Sequence, residues 1–228
     1  MTTEAKLRPG ERAFTRTDAL VTVGSVAILL VVAFSSVVGC RAAKALAQDF
    51  KCRNNLRAKA LAFRVFANDN LLSTNSTETF PQHVPLAQLT LTQGTNASLL
   101  VTYFRAASNE LAAPSMLLCP ADSERVLATD WTNLTSSNIS FFLSLDARPD
   151  APETILMGDR NLESVTPRAG SRLELTASTP VSWGRSLHDG CGQFALSDGS
   201  VHHSCGTKMP PVFLRSLAKV ATNRLEFP

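Results

Sequence analysis

Residues 19–39 read ALVTVGSVAILLVVAFSSVVG, an apolar stretch that contains no charged side chain. At about 1.5 Å per residue, a helix of this length spans roughly 31 Å, which matches the hydrocarbon core of a bilayer. The alternative is a buried core helix, but a soluble helix seldom stays apolar around its whole circumference for so many turns. The stretch is also too long for the apolar region of a signal peptide, and no A-x-A cleavage site follows it. We therefore predict a single membrane-spanning helix that anchors a C-terminal domain.

The length and charge of the whole chain limit what else it contains. At 228 residues, the sequence holds one anchor and one domain of ordinary size. The net charge of +3 is small, and no basic patch with interleaved aromatic residues suggests a surface for nucleic acid. We therefore expect the lipid bilayer to be a partner of this chain and nucleic acid not to be one.

Helical periodicity continues beyond the apolar stretch. Apolar side chains recur there at spacings of three and four, with Arg and Lys between them; they are Leu46, Phe50, Leu56, Ala60, Phe63 and Phe66. We predict one helix from about Thr17 to Asn68, with its first half in lipid and its second half packed on a domain. It ends where Asn and Asp residues favour a turn.

Short segments rich in β-favouring residues follow Phe80 and are separated by turn residues. The predicted strands are Leu99–Phe104, Ile139–Leu145, Thr154–Met157, Arg172–Thr176, Gln193–Ser197 and Ser200–Ser204. The sequence therefore predicts an α+β protein, with a long N-terminal helix and an antiparallel sheet.

The dipeptide Asp198-Gly199 joins the last two predicted strands. It favours a two-residue type I′ turn, which requires positive φ at both positions and places Phe194 opposite His203. Cys191 and Cys205 are then one residue out of register at the open end of the hairpin. They are the best candidates for a disulfide, which needs a small bulge in this register. With five cysteines in the chain, at least one thiol has no partner within it.

The segment before the apolar stretch resembles the processing signal of type IV prepilins and pseudopilins. A polar leader, MTTEAKLRPGERA, is followed by FTRTDAL, which contains one acid, Asp18, directly before the apolar stretch. The resemblance implies that a prepilin peptidase cuts between Ala13 and Phe14 and that Phe14 is then methylated. It also implies that Asp18, as fifth residue of the mature chain, pairs with the amine of a neighbouring subunit during assembly. The family prefers Gly and Glu where this chain has Ala13 and Asp18, so an ordinary signal-anchor is the alternative.

Five further motifs resemble a bacterial group of prepilin-like proteins named for its H-x9-DG pattern. They are CRNNLRAKALAFRVFANDN (52–70), LLCPAD (117–122), NISFFLSLDA (138–147), ILMGDRNL (155–162), and His188 followed after nine residues by Asp198-Gly199. The resemblance implies a pilin-like fold with four parts. They are a leader (1–13), a transmembrane helix (14–40), its amphipathic continuation (41–70) and a β-rich periplasmic domain (71–228).

The function that this resemblance implies is structural. We expect a subunit of a pseudopilus or type IV pilus-like fibre, as in type II secretion, held in the inner membrane and assembling with other pilin-like subunits. A membrane-tethered binding module that does not assemble is the alternative. A count of positive charges beside the anchor favours the opposite orientation, with the C-terminal side in the cytoplasm. The prepilin resemblance implies a domain outside the cytoplasm.

Metal-ligating residue types also occur near the hairpin. Two Cys and three His fit no standard zinc spacing; they are His188, His202, His203, Cys191 and Cys205. Side chains alternate along a strand, so His202 and His203 face opposite sides. We predict no metal site and no cofactor, and expect His188 to hydrogen-bond backbone and fix the approach to the hairpin.

Calcium is the alternative cofactor, because related pseudopilins carry it in a C-terminal loop. Its candidate ligands here are Asp159, Asp189 and Asp198, but they do not form a contiguous ligand loop. The sequence also lacks G-x-S-x-G, H-E-x-x-H, P-loop and G-x-G-x-x-G patterns. We therefore expect no catalytic residues and no enzymatic activity.

Overall fold

The N-terminal helix α1 occupies Arg16–Leu71. Its bounds agree with the predicted helix, and no Pro interrupts it. The computed structural model describes residues 15–71, 79–89, 98–165, 168, 171–206 and 209–228. By their internal contacts, the residues form two compact units, 1–44 and 45–228.

The described part of the first unit, residues 15–44, lies entirely within α1, apart from Thr15. Its segment Arg16–Ser35 has a mean hydropathy of 2.2, and none of it is buried inside the protein. Leu29 and Phe34 are 67% and 74% exposed. By length and composition, this segment is able to cross a membrane, as the sequence predicts.

In the described part of the second unit, three short α-helices follow α1: α2 (Leu86–Leu89), α3 (Leu99–Ala106) and α4 (Pro211–Leu217). The strand predicted at Leu99–Phe104 is wrong, because this segment forms α3. The Ser98 side chain caps the helix by accepting a hydrogen bond from the N–H of Val101. Nearly every apolar side chain of α3 is buried, so its sequence lacks the alternation that separates helix from strand.

The described residues contain eight strands, which form two antiparallel sheets. They are β1 (Phe141–Ser144), β2 (Ile155–Asp159), β3 (Leu162–Ser164), β4 (Arg172–Leu175), β5 (Val181–Trp183), β6 (Cys191–Leu196), β7 (Val201–Cys205) and β8 (Asn223–Glu226). The large sheet has the order β4-β8-β1-β2-β6-β7, and β3 pairs with β5. The α+β class with an antiparallel sheet is therefore confirmed.

A hydrophobic cluster lies on each face of the large sheet. On one face, the buried side of α1 packs against α3, with the ring of Phe63 5.7 Å from that of Phe104. On the other face, α4 and the β3-β5 ribbon surround Phe142 and Phe194. The second half of α1 thus contributes one buried face, which includes Cys52, Leu56 and Phe63.

The β6-β7 hairpin differs from the predicted one by one residue. Phe194 pairs with His202, where a two-residue turn requires His203. Within the dipeptide Asp198-Gly199, only Gly199 has positive φ, at 87°, and the N–H of Gly199 donates to Leu196 O at 2.9 Å. The predicted type I′ turn is therefore wrong, and a three-residue loop with Gly in the left-handed region replaces it. This register places Cys191 directly opposite Cys205 at the open end of the hairpin.

Candidate functional site

Three side chains that are far apart in sequence meet beneath α1. Cys52 lies on the buried face of α1, Cys119 follows the 3-10 turn Pro114–Leu117, and His188 precedes β6. Their sulfur and nitrogen atoms all lie within 4.8 Å of one another. Both cysteines are fully buried, and the His188 side chain is 6% exposed.

Asp159, at the end of β2, is the fourth member of this cluster and is also fully buried. Its Oδ1 accepts a hydrogen bond from the thiol of Cys52 at 3.5 Å, and its Oδ2 lies 3.7 Å from His188 Nε2. The N–H of Gln193 donates to Oδ2 at 2.8 Å. We call Cys52, Cys119, Asp159 and His188 the buried cluster.

The imidazole of His188 lies between two carboxylates. Its Nε2 is 3.3 Å from Cys119 Sγ and faces Asp159, whereas its Nδ1 is 3.6 Å from Asp49 Oδ1. Asp49 is itself held in place, because Gln193 Nε2 donates to Asp49 Oδ1 at 2.6 Å. We predicted that His188 hydrogen-bonds backbone, but these contacts of its imidazole are with the side chains of Cys119, Asp159 and Asp49.

Helix α1 fixes the loop that carries Cys119. Gln48 Nε2 donates to Pro120 O at 2.9 Å, and Asn55 Nδ2 donates to Leu118 O at 3.5 Å. On the opposite side, the N–H of Cys119 donates to Ser140 Oγ at 3.0 Å. These bonds satisfy buried backbone groups and leave the sulfur little freedom to move.

Asn161 fixes the turn that carries His188. Its Nδ2 donates to the carbonyl oxygens of Gly184, Leu187 and Cys191 at 2.7, 3.1 and 2.8 Å. His188 and the next residue, Asp189, have φ of 48° and 49°, a left-handed conformation that is uncommon for residues other than Gly. Such backbone strain often marks functional sites, since the surroundings must stabilise it.

The residues on either side of Asp159 are also constrained. A Cβ on Gly158 would lie 2.7 Å from the ring of Phe142, so only Gly fits there. Arg160 forms two hydrogen bonds with Asp122, at 2.7 and 2.8 Å, and ties β2 to the loop after Cys119. Burial alone would raise the pKa of Asp122, but the hydrogen bonds from Arg160 hold it below its ordinary value.

The environment changes the proton affinities of the cluster in different directions. A hydrogen bond from Cys52 and the neighbouring imidazole lower the pKa of Cys119 to about 5, despite its burial. Burial raises the pKa of Cys52, and it raises that of Asp159 to about 7. Lys59 is fully buried as well, and burial lowers its pKa to about 7.

The Lys59 ammonium has its own contacts beside the cluster. Its Nζ donates to Met116 O at 2.9 Å and lies 3.3 Å from the centre of the Phe141 ring. The carbonyl oxygen and the face of the aromatic ring both stabilise the charged form of this buried amine. Lys59 therefore supplies a positive charge within electrostatic reach of the two sulfurs and Asp159.

A cavity of about 430 Å³ opens at His188. It is lined by residues of α1, the Cys119 loop and the hairpin, including Asp49, Ala121, His188 and His203. The cavity gives solvent a path to the edge of the buried cluster, although the two sulfurs lie behind it.

The predicted processing and assembly residues fall at the start of the chain. Ala13 and Phe14 lie outside the described residues. Asp18 accepts hydrogen bonds from the N–H and Oγ1 of Thr15, at 3.1 and 2.7 Å, and its own N–H donates to Thr15 Oγ1 at 3.2 Å. The pair is a reciprocal cap at the N-terminus of α1, which is a local role for the Asp18 carboxylate.

The structure separates the two ends of the H-x9-DG pattern. His188 joins the buried cluster at one end of β6, while Asp198 and Gly199 form the turn at the other end. Asp198 Oδ1 accepts a hydrogen bond from the N–H of Ser200 at 2.8 Å. This contact is typical of an Asp in a tight turn.

Cys191 and Cys205 form a disulfide across the open end of the hairpin, with a Cα–Cα distance of 3.9 Å. They are register partners, so the bulge expected for this bond is not needed. His202 stacks on Phe194 and His203 faces Asp49, so the two histidines lie on opposite faces, as predicted. Among the described residues, the calcium candidates Asp159, Asp189 and Asp198 do not share a metal-binding group.

Sequence reasoning missed the buried cluster. Cys52 and Cys119 are separated by 67 positions and His188 follows by another 69, so their spacing resembles no ligand motif. One signal was present: Cys52, Cys119, Asp159 and His188 each lie in a different one of the quoted motifs. Motifs that share no local chemistry are expected to meet in space.

By fold and site, the chain is an α+β protein with an apolar N-terminal helix and a buried Cys-Cys-His-Asp cluster. It matches no family model, no curated protein and no solved structure.

Proposed function

We propose that the protein is a pilin-like structural subunit, held in the inner membrane by the first part of α1 and assembling into a pseudopilus or pilus-like fibre. The observation that carries this proposal is the unburied apolar segment Arg16–Ser35 at the start of a 56-residue helix. A continuous apolar helix surface of this size requires lipid or other apolar helices around it. A subunit that moves from a membrane into a fibre meets both environments in turn.

Asp18 is the residue that sets the register of subunits in this proposal. A carboxylate at the edge of the hydrocarbon region is costly without a partner, so stacking that brings an amine to it is favoured. Its reciprocal cap with Thr15 competes with that role, because the same oxygen accepts both bonds from Thr15. Assembly must therefore be measured separately from helix formation.

The N-terminus of the mature protein provides the first test. Sequencing of the protein from membranes is expected to begin at methylated Phe14, and an intact Met1 in protein that forms no fibres would contradict the proposal.

The second test is chemical cross-linking of subunits in membranes. Asp18→Asn is expected to abolish the ladder of cross-linked species, while Thr15→Ala, which removes only the cap, is expected to retain it.

A tethered binding module is the second candidate, and the cavity at His188 favours it. The cavity is lined by four residues that bear a carboxylate or an imidazole, which gives it polar groups for a small ligand; they are Asp49, His188, Asp189 and His203. In this case the protein stays monomeric in the membrane and retains Met1. Sedimentation of detergent-solubilised protein, together with the N-terminal sequence, distinguishes the two functions.

A further inference from the structure

The buried cluster contains three donor atoms of the types that zinc prefers, on Cys52, Cys119 and His188, all within 4.8 Å of one another, and the Asp159 carboxylate lies beside them. The measured separations are 3.3 Å from Cys119 Sγ to His188 Nε2, 3.5 Å from Cys52 Sγ to Asp159 Oδ1, and 3.7 Å from His188 Nε2 to Asp159 Oδ2. Zn–S bonds of about 2.3 Å and Zn–N bonds of about 2.0 Å put tetrahedral donors roughly 3.3–3.8 Å apart. We propose that Cys52, Cys119 and His188 form a structural zinc site and that Asp159, which hydrogen-bonds Cys52, completes it.

The surroundings of His188 support this assignment. A histidine that binds zinc through one nitrogen usually directs the other to a carboxylate. Here Nε2 faces the two sulfurs and Asp159, while Nδ1 is 3.6 Å from Asp49 Oδ1. Asp159 Oδ2 is held by the N–H of Gln193, which leaves Oδ1 on the side of Cys52. The imidazole therefore has a carboxylate beside its second nitrogen, and Asp159 is oriented by a backbone hydrogen bond.

The charges of the site also balance. Two thiolates and one carboxylate carry three negative charges, and burying them together without cations is very unfavourable. A Zn²⁺ ion supplies two positive charges, and the buried Lys59 ammonium supplies the third. With a neutral His188, these groups then carry no net charge, and the Asp49 carboxylate lies outside them beside His188 Nδ1.

Two other uses of the same residues are less consistent with the geometry. A thiol nucleophile needs access to a substrate, but Cys119 is fully buried behind the cavity. A disulfide between Cys52 and Cys119 would use both sulfurs and leave the Asp159 carboxylate and the His188 imidazole without an ion between them. Both uses are outcomes of the test below.

The test measures zinc in the full chain purified in detergent without chelator. We expect about one Zn²⁺ per chain, and expect Cys52 and Cys119 to resist alkylation until a chelator removes the metal. Rapid alkylation of Cys119 in the metal-loaded protein, or recovery of a peptide pair cross-linked through Cys52 and Cys119, would overturn the proposal.

Affinity is then measured by competition with a chromophoric chelator after reduction. Reduction also opens the Cys191–Cys205 bond, and the freed sulfurs lie near His203, where they offer a second set of metal ligands. The titration therefore uses the Cys191→Ser, Cys205→Ser double variant. Adding Cys119→Ser is expected to abolish binding. Asp49→Asn is expected to weaken it by about 10- to 100-fold, as for other outer partners of a zinc-bound histidine.

Asp146→Asn is the matched control for Asp49→Asn, because Asp146 pairs with Arg224 away from the buried cluster. It is expected to leave zinc affinity unchanged. If the double variant does not fold, the zinc content and the alkylation pattern of the unreduced wild-type chain decide the question. Failure of reduced, folded protein to bind Zn²⁺ would refute the site.

Discussion

His188 Nε2 lies 3.3 Å from Cys119 Sγ, although 69 positions separate the two residues. This contact joins the turn before β6 to the loop after Pro114–Leu117, and α1 covers both of them. Asn161 holds the turn and Asn55 holds the loop by separate hydrogen bonds.

Replacing Asn161 with Ala is expected to lower the free energy of unfolding by about 2 kcal/mol, since it leaves buried carbonyl groups without donors. Chemical denaturation of the full chain in detergent measures this change. Asn161→Asp keeps the shape of the side chain but removes its donors. A stability equal to wild type in Asn161→Asp would show that the three hydrogen bonds do not hold the turn.

Gly158→Ala is expected to lower the free energy of unfolding by about 1–3 kcal/mol. The new methyl group would lie 2.7 Å from the Phe142 ring and 2.9 Å from Gln193 O, and the second atom belongs to the backbone and cannot move aside easily. The matched control is Gly39→Ala, where nothing lies within 4 Å. Equal thermal midpoints for the two variants would contradict the close approach at Gly158.

The Arg160–Asp122 pair is expected to make stability depend on acid pH. Because the pKa of Asp122 is lower in the folded chain, its contribution is complete above the ordinary carboxyl pKa and is lost as the pH falls through the lower folded value. Asp122→Asn should therefore cost about 3 kcal/mol at pH 7 and progressively less below about pH 4. Denaturation curves of both proteins across this range measure the difference.

Glu124→Gln is the control for this prediction. Glu124 also contacts Arg160, but its side chain is 60% exposed, so its loss should cost under about 1 kcal/mol. A difference between Asp122→Asn and wild type that stays constant down to pH 2 would show that folding does not lower the pKa of Asp122.

The Cys191→Ser, Cys205→Ser double variant is expected to lose about 3 kcal/mol of stability, because the disulfide closes a loop with a sequence separation of 14. Reducing agent should lower the denaturation midpoint of the wild type by a similar amount and leave the double variant unchanged. A midpoint of the double variant that still falls on reduction would reveal a second disulfide, at Cys52 and Cys119.

Local patterns in the sequence predict much of this fold. Apolar spacing is sufficient for α1, and Asp198-Gly199 correctly marks the β6-β7 turn. The length of that turn is not predicted, since an Asp-Gly pair suits both a two-residue and a three-residue loop, and tertiary packing decides between them. A Cβ at Gly199 would lie 3.4 Å from the Leu61 side chain of α1, a proximity that no local pattern contains.

The buried cluster is harder to predict because its residues become neighbours only when the sheet and α1 are complete. Each of them, taken alone, has an ordinary structural explanation. Cys52 fits a buried helix face, and Asp159 fits the end of a strand before a turn. Only the three-dimensional contacts reveal that they share one small volume.

The structure describes all five cysteines, and they are not equivalent. Cys191 and Cys205 are bonded, Cys52 and Cys119 are buried, and Cys40, five positions after Ser35, is the one free cysteine that is exposed. The wild-type chain thus carries a single exposed free thiol beside the apolar segment that is able to cross a membrane. A maleimide that does not cross membranes will label it from one side only, so intact cells can report the topology of the protein without any engineered residue.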